Sequence, residues 1–194
     1  MLSAVEQKRL SLSKSTEAAK KSQFGQFLTP ERTAAFMAGL FPDGTGDCHL
    51  LDAGAGIGSL SAAFLDRWRS GGFCFSRVTV DAFELDTALI DPLAYTLDRY
   101  NHTGDFVANI RQKDFILAAV ESLKGTLFAP PIERYSHAIL NPPYKKINSD
   151  SAHRVAVRHI HLFESRSKAF KDDEVLQENI IVRLERDGQQ GPVT

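Results

Sequence analysis

At 194 residues, 43% hydrophobic and 24% charged, the chain has the makeup of one globular domain with a real core. No apolar run approaches the roughly 18 residues that span a bilayer, and the polar stretch Met1–Lys21 lacks the apolar centre of a signal peptide, so a cytoplasmic protein without a membrane partner is expected. The net charge of −1 excludes a uniformly basic surface, and Cys48 and Cys74, with no Cys-x-x-Cys spacing, argue against a metal site or a disulfide framework; both are read as buried thiols.

In chain order, Ser3-Ala4-Val5-Glu6 has capping-box spacing, which predicts a polar, weakly packed helix to about Lys21. Thr29-Pro30-Glu31 predicts a sharper start, with Thr29 as N-cap and Pro30 at the first helical position, for a helix to about Phe41 that Pro42-Asp43-Gly44 ends. Strands and helices then alternate: strand Cys48–Ala53, helix Ser59–Trp68, strand Phe75–Phe83, helix Thr87–Tyr100, strand Phe106–Arg111, helix Phe115–Leu123 and strand Tyr135–Leu140. This order predicts an α/β fold, a mainly parallel sheet with helices on both faces. Beyond it, Asn148–Arg158 reads as loop and short helix, and His159–Phe163 and Glu178–Leu184 as strands. The long helix that the alternation calls for after the fourth strand is missing.

Charge is segregated along the chain. Residues 33–144 carry 8 basic and 13 acidic side chains, whereas residues 145–171 carry 7 basic against 2 acidic. That second stretch is either a solvated face or a phosphate contact.

The residues suited to chemistry fall at strand carboxyl ends, where open parallel sheets bind ligands. Asp52-Ala53-Gly54-Ala55-Gly56-Ile57-Gly58 lies between a strand and a helix. Its glycines allow close backbone approach, the helix start offers free N–H groups, and Asp52 can hydrogen-bond a nucleoside cofactor. Glu84 can accept from both ribose hydroxyls, while Asp86 reads equally as a helix N-cap. Asp114-Phe115 can hold an adenine amine and ring, or serve as N-cap and core aromatic. Asn141-Pro142-Pro143-Tyr144 carries the strongest signal. The Asn141 side-chain oxygen and the Pro142 carbonyl can hold both hydrogens of a planar amine and stabilise charge developing on its nitrogen. The prolines keep the turn rigid, and Tyr144 can stack on a base, which must first be flipped out of a duplex.

Taken as an ordered set, these residues resemble the γ-arranged N6-adenine DNA methyltransferases of restriction–modification and phage-defence systems. Phe24-Gly25-Gln26-Phe27-Leu28-Thr29-Pro30, Asp52 to Gly58, Glu84, Asp114-Phe115 and Asn141 to Tyr144 follow in family order over about residues 23–150. The resemblance implies a Rossmann-like sheet ending in a hairpin with one antiparallel strand, and S-adenosylmethionine as cofactor. It implies cofactor contacts at Phe27, Thr29, Pro30, Asp52, Gly54, Gly56, Glu84, Asp114 and Phe115, with Asn141, Pro142 and Tyr144 catalytic. The substrate it implies is a flipped adenine in DNA, with a restriction subunit or recognition domain as partner. Residues 1–22 are expected to be a helical extension and 23–194 the catalytic domain. That domain is expected to depart from the family pattern after about residue 158, with residues expected to be missing between about Arg158 and His159 and no target-recognition domain expected among these residues. Alternative readings are a methyltransferase for a protein glutamine or RNA base, and a cofactor- or partner-binding module without turnover. A NAD-dependent dehydrogenase fits the glycine loop alone.

Overall fold

The computed structural model describes residues 2–15, 28–102, 104–123, 134–141, 155–162 and 180–186, which fall into two units, 1–143 and 144–194. In the first unit, α1 (Leu2–Ser15) and α2 (Glu31–Gly39) precede β1 (Thr45–Ala53), α3 (Ser59–Arg67), β2 (Cys74–Phe83), α4 (Thr87–Asp98), β3 (Phe106–Arg111), α5 (Phe115–Leu123) and a short β4 (His137–Ala138). The strands form a four-stranded sheet in the order β3-β2-β1-β4, and every pairing is parallel. The chain thus steps outward from β1 to β3 and then returns to the far side of β1. That reversal opens a crevice at the carboxyl ends of β1 and β4, the arrangement of a Rossmann-like α/β fold.

Register explains which residues meet. Cys48, Leu50 and Asp52 of β1 pair with Val78, Val80 and Ala82 of β2. All six are buried on one face of the sheet. Phe64 of α3 stacks on Phe73 and meets Phe41 edge-on, while Leu89, Leu93 and Leu97 of α4 complete the packing. Phe83 belongs to the opposite face and meets Phe115 of α5 edge-on at 5.1 Å. Helices therefore cover both faces, as the alternation predicts. On the α5 face Asp81 is fully buried and accepts from Asn109 (2.7 Å), Tyr135 (3.0 Å) and Arg111 (3.1 Å). These are charge-assisted bonds that a buried carboxylate needs.

Several expectations need correction. α1 is not weakly packed: Val5 is buried in the core, and Arg9, fully buried, makes two bonds to Glu6 at 3.0 and 2.9 Å. Ser3 lies inside that helix rather than capping it, and the continuation to Lys21 falls outside the described residues. Thr29 is not the N-cap of α2. Pro30 occupies that position with no side-chain cap, and the Glu31 N–H is taken at 3.1 Å by Glu6 from α1. A tertiary carboxylate does there what a local hydroxyl was expected to do. The fourth strand shrinks from six residues to His137–Ala138, because only these pair with β1. Cys48 is buried but Cys74 is exposed: at the first residue of β2 it alternates with Phe75, which takes the core side.

The second unit contains an antiparallel pair, β5 (Val155–Leu162) and β6 (Ile180–Arg186). The loop and short helix expected over Asn148–Arg158 give way to strand from Val155, and residues 148–154 are outside the described set. β5 runs through Arg158-His159 with a register shift between Val157 and His159.

Candidate functional site

The glycine loop is shaped from both sides. Gly54 and Ala55 donate their N–H groups to the Phe83 carbonyl at 2.9 and 2.8 Å, tying the end of β1 to the end of β2. Gly56 and Gly58 have φ of 58° and 82°, the left-handed region that favours glycine. A Cβ on Gly56 would come within 3.0 Å of Leu28, and one on Gly58 within 3.0 Å of Leu93. The loop therefore lies flush against its surroundings and presents backbone rather than side chains. Gly58 then starts α3, with its carbonyl accepting from Ala62.

Two carboxylates flank this loop. Asp52, at 0% exposure, accepts from the Ser61 hydroxyl at 2.6 Å through Oδ2. Its Oδ1 has no partner among the described residues. Burial raises its pKa to about 7; the Ser61 bonds oppose that rise and the neighbouring Glu84 charge adds to it. Glu84 is buried too, and its carboxylate accepts from three backbone N–H groups: Gly56 at 2.7 Å and Leu85 and Asp86 at 2.8 Å. Glu84 thus clasps the glycine loop.

A cleft brings Leu28, Thr29, Gly54, Gly56, Ser59 and Asn141 together. Three segments far apart in sequence thus meet at the crevice between β1 and β4. The Asn141 side-chain nitrogen donates to the Thr29 hydroxyl at 3.1 Å. Of the residues singled out from sequence, Pro30, Asp52, Glu84, Asp114 and Phe115 do not line this cleft. Asp86 is the N-cap of α4, accepting from Ala88 at 2.9 Å. Asp114 caps α5 by accepting from the Leu117 N–H at 3.1 Å, and Phe115 packs on Phe83. Phe27, Pro142 and Tyr144 lie outside the described residues.

Sequence reasoning missed Ser61 and Glu6. Ser61 is a fully buried hydroxyl in a helix that is otherwise apolar around it, and that was its only local signal. Glu6 was legible only as the end of a capping box in its own helix, since its actual target is 25 residues away. Among the described residues no cluster of His, Cys, Asp or Glu could hold a metal ion, and no helix is long and apolar enough to cross a membrane.

The donor set fits a nucleoside cofactor with a charged amino-acid end. Asp52 offers a buried acceptor with no partner among the described residues, Glu84 a carboxylate at the end of β2, and Gly54 a backbone with open space where a Cβ would stand.

No protein-family model matches the chain. Among solved structures, PH0793 of Pyrococcus horikoshii and P. horikoshii TYW2 in complex with MeSAdo each align at a TM-score of 0.31 and 20% identity, covering 44% of this chain and 29% of theirs. Among curated proteins, the chain is 36% identical to the type II methyltransferase M.BsuBI of Bacillus subtilis over 224 positions, covering 86% of this chain and 44% of that one. It is 29% identical to the type II methyltransferase M.PstI of Providencia stuartii, covering 89% of this chain and 45% of that one. Since 86% of 194 residues is about 167, more than fifty of the 224 positions are filled only in the Bacillus protein. The chain is thus similar to two type II methyltransferases over most of its own length, and it spans under half the length of each.

Proposed function

We propose that this chain carries the catalytic centre of an S-adenosylmethionine-dependent DNA methyltransferase that modifies adenine at N6, in a cytoplasmic restriction–modification or phage-defence system. The observation that carries the proposal is the meeting of Asn141 with Gly54 and Gly56 in one cleft at the switch point of the sheet. Asp52 would accept from the ammonium of the cofactor, Glu84 from its ribose hydroxyls and Asp114 from its adenine amino group, with Phe115 against the ring. Gly54 and Gly56 supply the surface against which it lies, with Phe27 and Pro30 over the methionine end. When bound, the cofactor supplies a methyl group on a positively charged sulfur, which a nitrogen lone pair can displace.

The chain's own part is to prepare that nitrogen. An aromatic amine is a poor nucleophile because its lone pair is spread into the ring. Asn141 Oδ1 and the Pro142 carbonyl accept its two hydrogens, favour a pyramidal nitrogen and stabilise the positive charge that grows on it. Tyr144 stacks on the extruded base. The basic stretch 145–171 contacts phosphates nearby. Residues 23–194 are assigned as the catalytic domain and 1–22 as its extension, of which α1 contacts the start of α2 through Glu6. Recognition of a target sequence then falls to a further domain or a restriction subunit.

The test is single-molecule sequencing of host DNA after expression of the parent gene, with Asn141→Ala as control. N6-methyladenine at one motif, lost in the control, is the expected result. Unmodified DNA together with a methylated release-factor peptide or RNA would redirect the reading to those substrates. Cofactor binding with no methylated product would leave a binding module.

A further inference from the structure

We infer that Thr29 is a positioning residue that holds the Asn141 side-chain amide with Oδ1 as its acceptor end. This rests on the role proposed for Asn141 and goes beyond it. A primary amide has two faces of nearly equal shape, one accepting and one donating, exchanged by a half-turn about Cβ–Cγ. Only the oxygen end helps an amine substrate; the NH2 end would oppose its hydrogens. Something must therefore decide which end faces the substrate before the base arrives.

The Asn141 Nδ2 donates to Thr29 Oγ1 at 3.1 Å, a contact that spans 112 residues of sequence. Thr29 is suited to the task for three reasons. It is buried, at 6% exposure, so its hydroxyl is held without competing water. It precedes Pro30, which restricts its backbone to extended conformations. Its hydroxyl is also not spent on capping α2, because Glu6 takes the Glu31 N–H instead. The same short segment packs Leu28 against Gly56, so loop, amide and Thr29 are registered together at one cleft. With Thr29 Oγ1 as acceptor for Nδ2, the amide is oriented with Oδ1 on the side away from Thr29.

The test uses the whole chain, with Thr29→Val, which keeps shape but removes the acceptor, and Thr29→Ser, which restores it. The first readout is the Asn141 side-chain NH2 pair in a nitrogen-15 correlation spectrum, assigned by its loss in Asn141→Asp. In Thr29→Val both signals are expected to move and to exchange with water at least tenfold faster, and in Thr29→Ser to return. Signals in Thr29→Val that superimpose on wild type overturn the proposal. The second readout is turnover. Thr29→Val is expected to lower kcat about three- to tenfold, the scale of one hydrogen bond, with cofactor Kd and KM for DNA within twofold. A loss of cofactor affinity with kcat unchanged overturns the proposal in favour of a cofactor contact. A thermal melt of each variant separates misfolding from either result. Absence of turnover in the wild-type chain counts against the methyltransferase reading, whereas the amide signals alone decide whether Thr29 holds Asn141.

Discussion

Replacing Asp52 with asparagine should make the protein more stable and less able to hold its cofactor, and pH sets the size of the first effect. Asp52 is completely buried, with one oxygen unpartnered among the described residues. Its pKa rises from 3.8 to about 7, burial first among the causes. Because the folded state binds this proton more tightly than the unfolded chain, the contribution to stability is fully present below pH 3.8 and is lost as pH climbs to about 7. The rise of roughly three units, at about 1.4 kcal/mol each, corresponds to on the order of 4 kcal/mol lost by pH 8. Asparagine carries no charge but leaves an amide hydrogen to satisfy where Oδ1 sits, which costs back about 1–3 kcal/mol. A net gain of about 1–3 kcal/mol at pH 8 is therefore expected, shrinking to nothing or reversing at pH 4. Urea denaturation at both pH values reads this directly, and calorimetry with S-adenosylmethionine should show the matching loss of affinity. An Asp52→Asn protein no more stable than wild type at pH 8 would refute the picture of a carboxylate kept desolvated for a cationic ligand.

Three further outcomes follow from individual contacts. Glu84→Ala removes an acceptor from three backbone N–H groups, so both melting temperature and cofactor affinity should fall, the affinity by about 1–3 kcal/mol in calorimetry. Asn141→Ala should abolish methyl transfer while cofactor Kd changes less than twofold; retained turnover in a radiolabel assay would remove Asn141 from the acceptor role. Glu6→Ala strips the carboxylate shared by the fully buried Arg9 and the start of α2. It should cost about 2–4 kcal/mol in urea denaturation, with Arg9→Met milder because no buried charge is left behind.

Much of the first unit was legible because its signals are local. β3 and α5 occupy the residues that periodicity assigned, and β1, β2, α3 and α4 differ only at their ends. Gly56 and Gly58 announced their backbone conformations through residue type alone. The candidate site was half legible. Strand-end placement brought out Asp52, Glu84 and Asn141, but their partners Ser61, the Gly56 N–H and Thr29 could not be paired from spacing, since each contact crosses between elements. Thr29 shows the limit most clearly. Its sequence context offered a helix cap, and the fold spent it on an asparagine 112 residues away.

The sequence by itself therefore determined the order of strands and helices and the chemistry available at each strand end, because periodicity, turn residues and side-chain type act within a few residues. Only the tertiary structure decided which groups share a hydrogen. Burial makes every polar atom find a partner from whatever element is packed against it. Hence Glu6 caps a helix it does not belong to and Arg9 is drawn into the interior, whereas Asp52 Oδ1 is an exception, with no partner among the described residues.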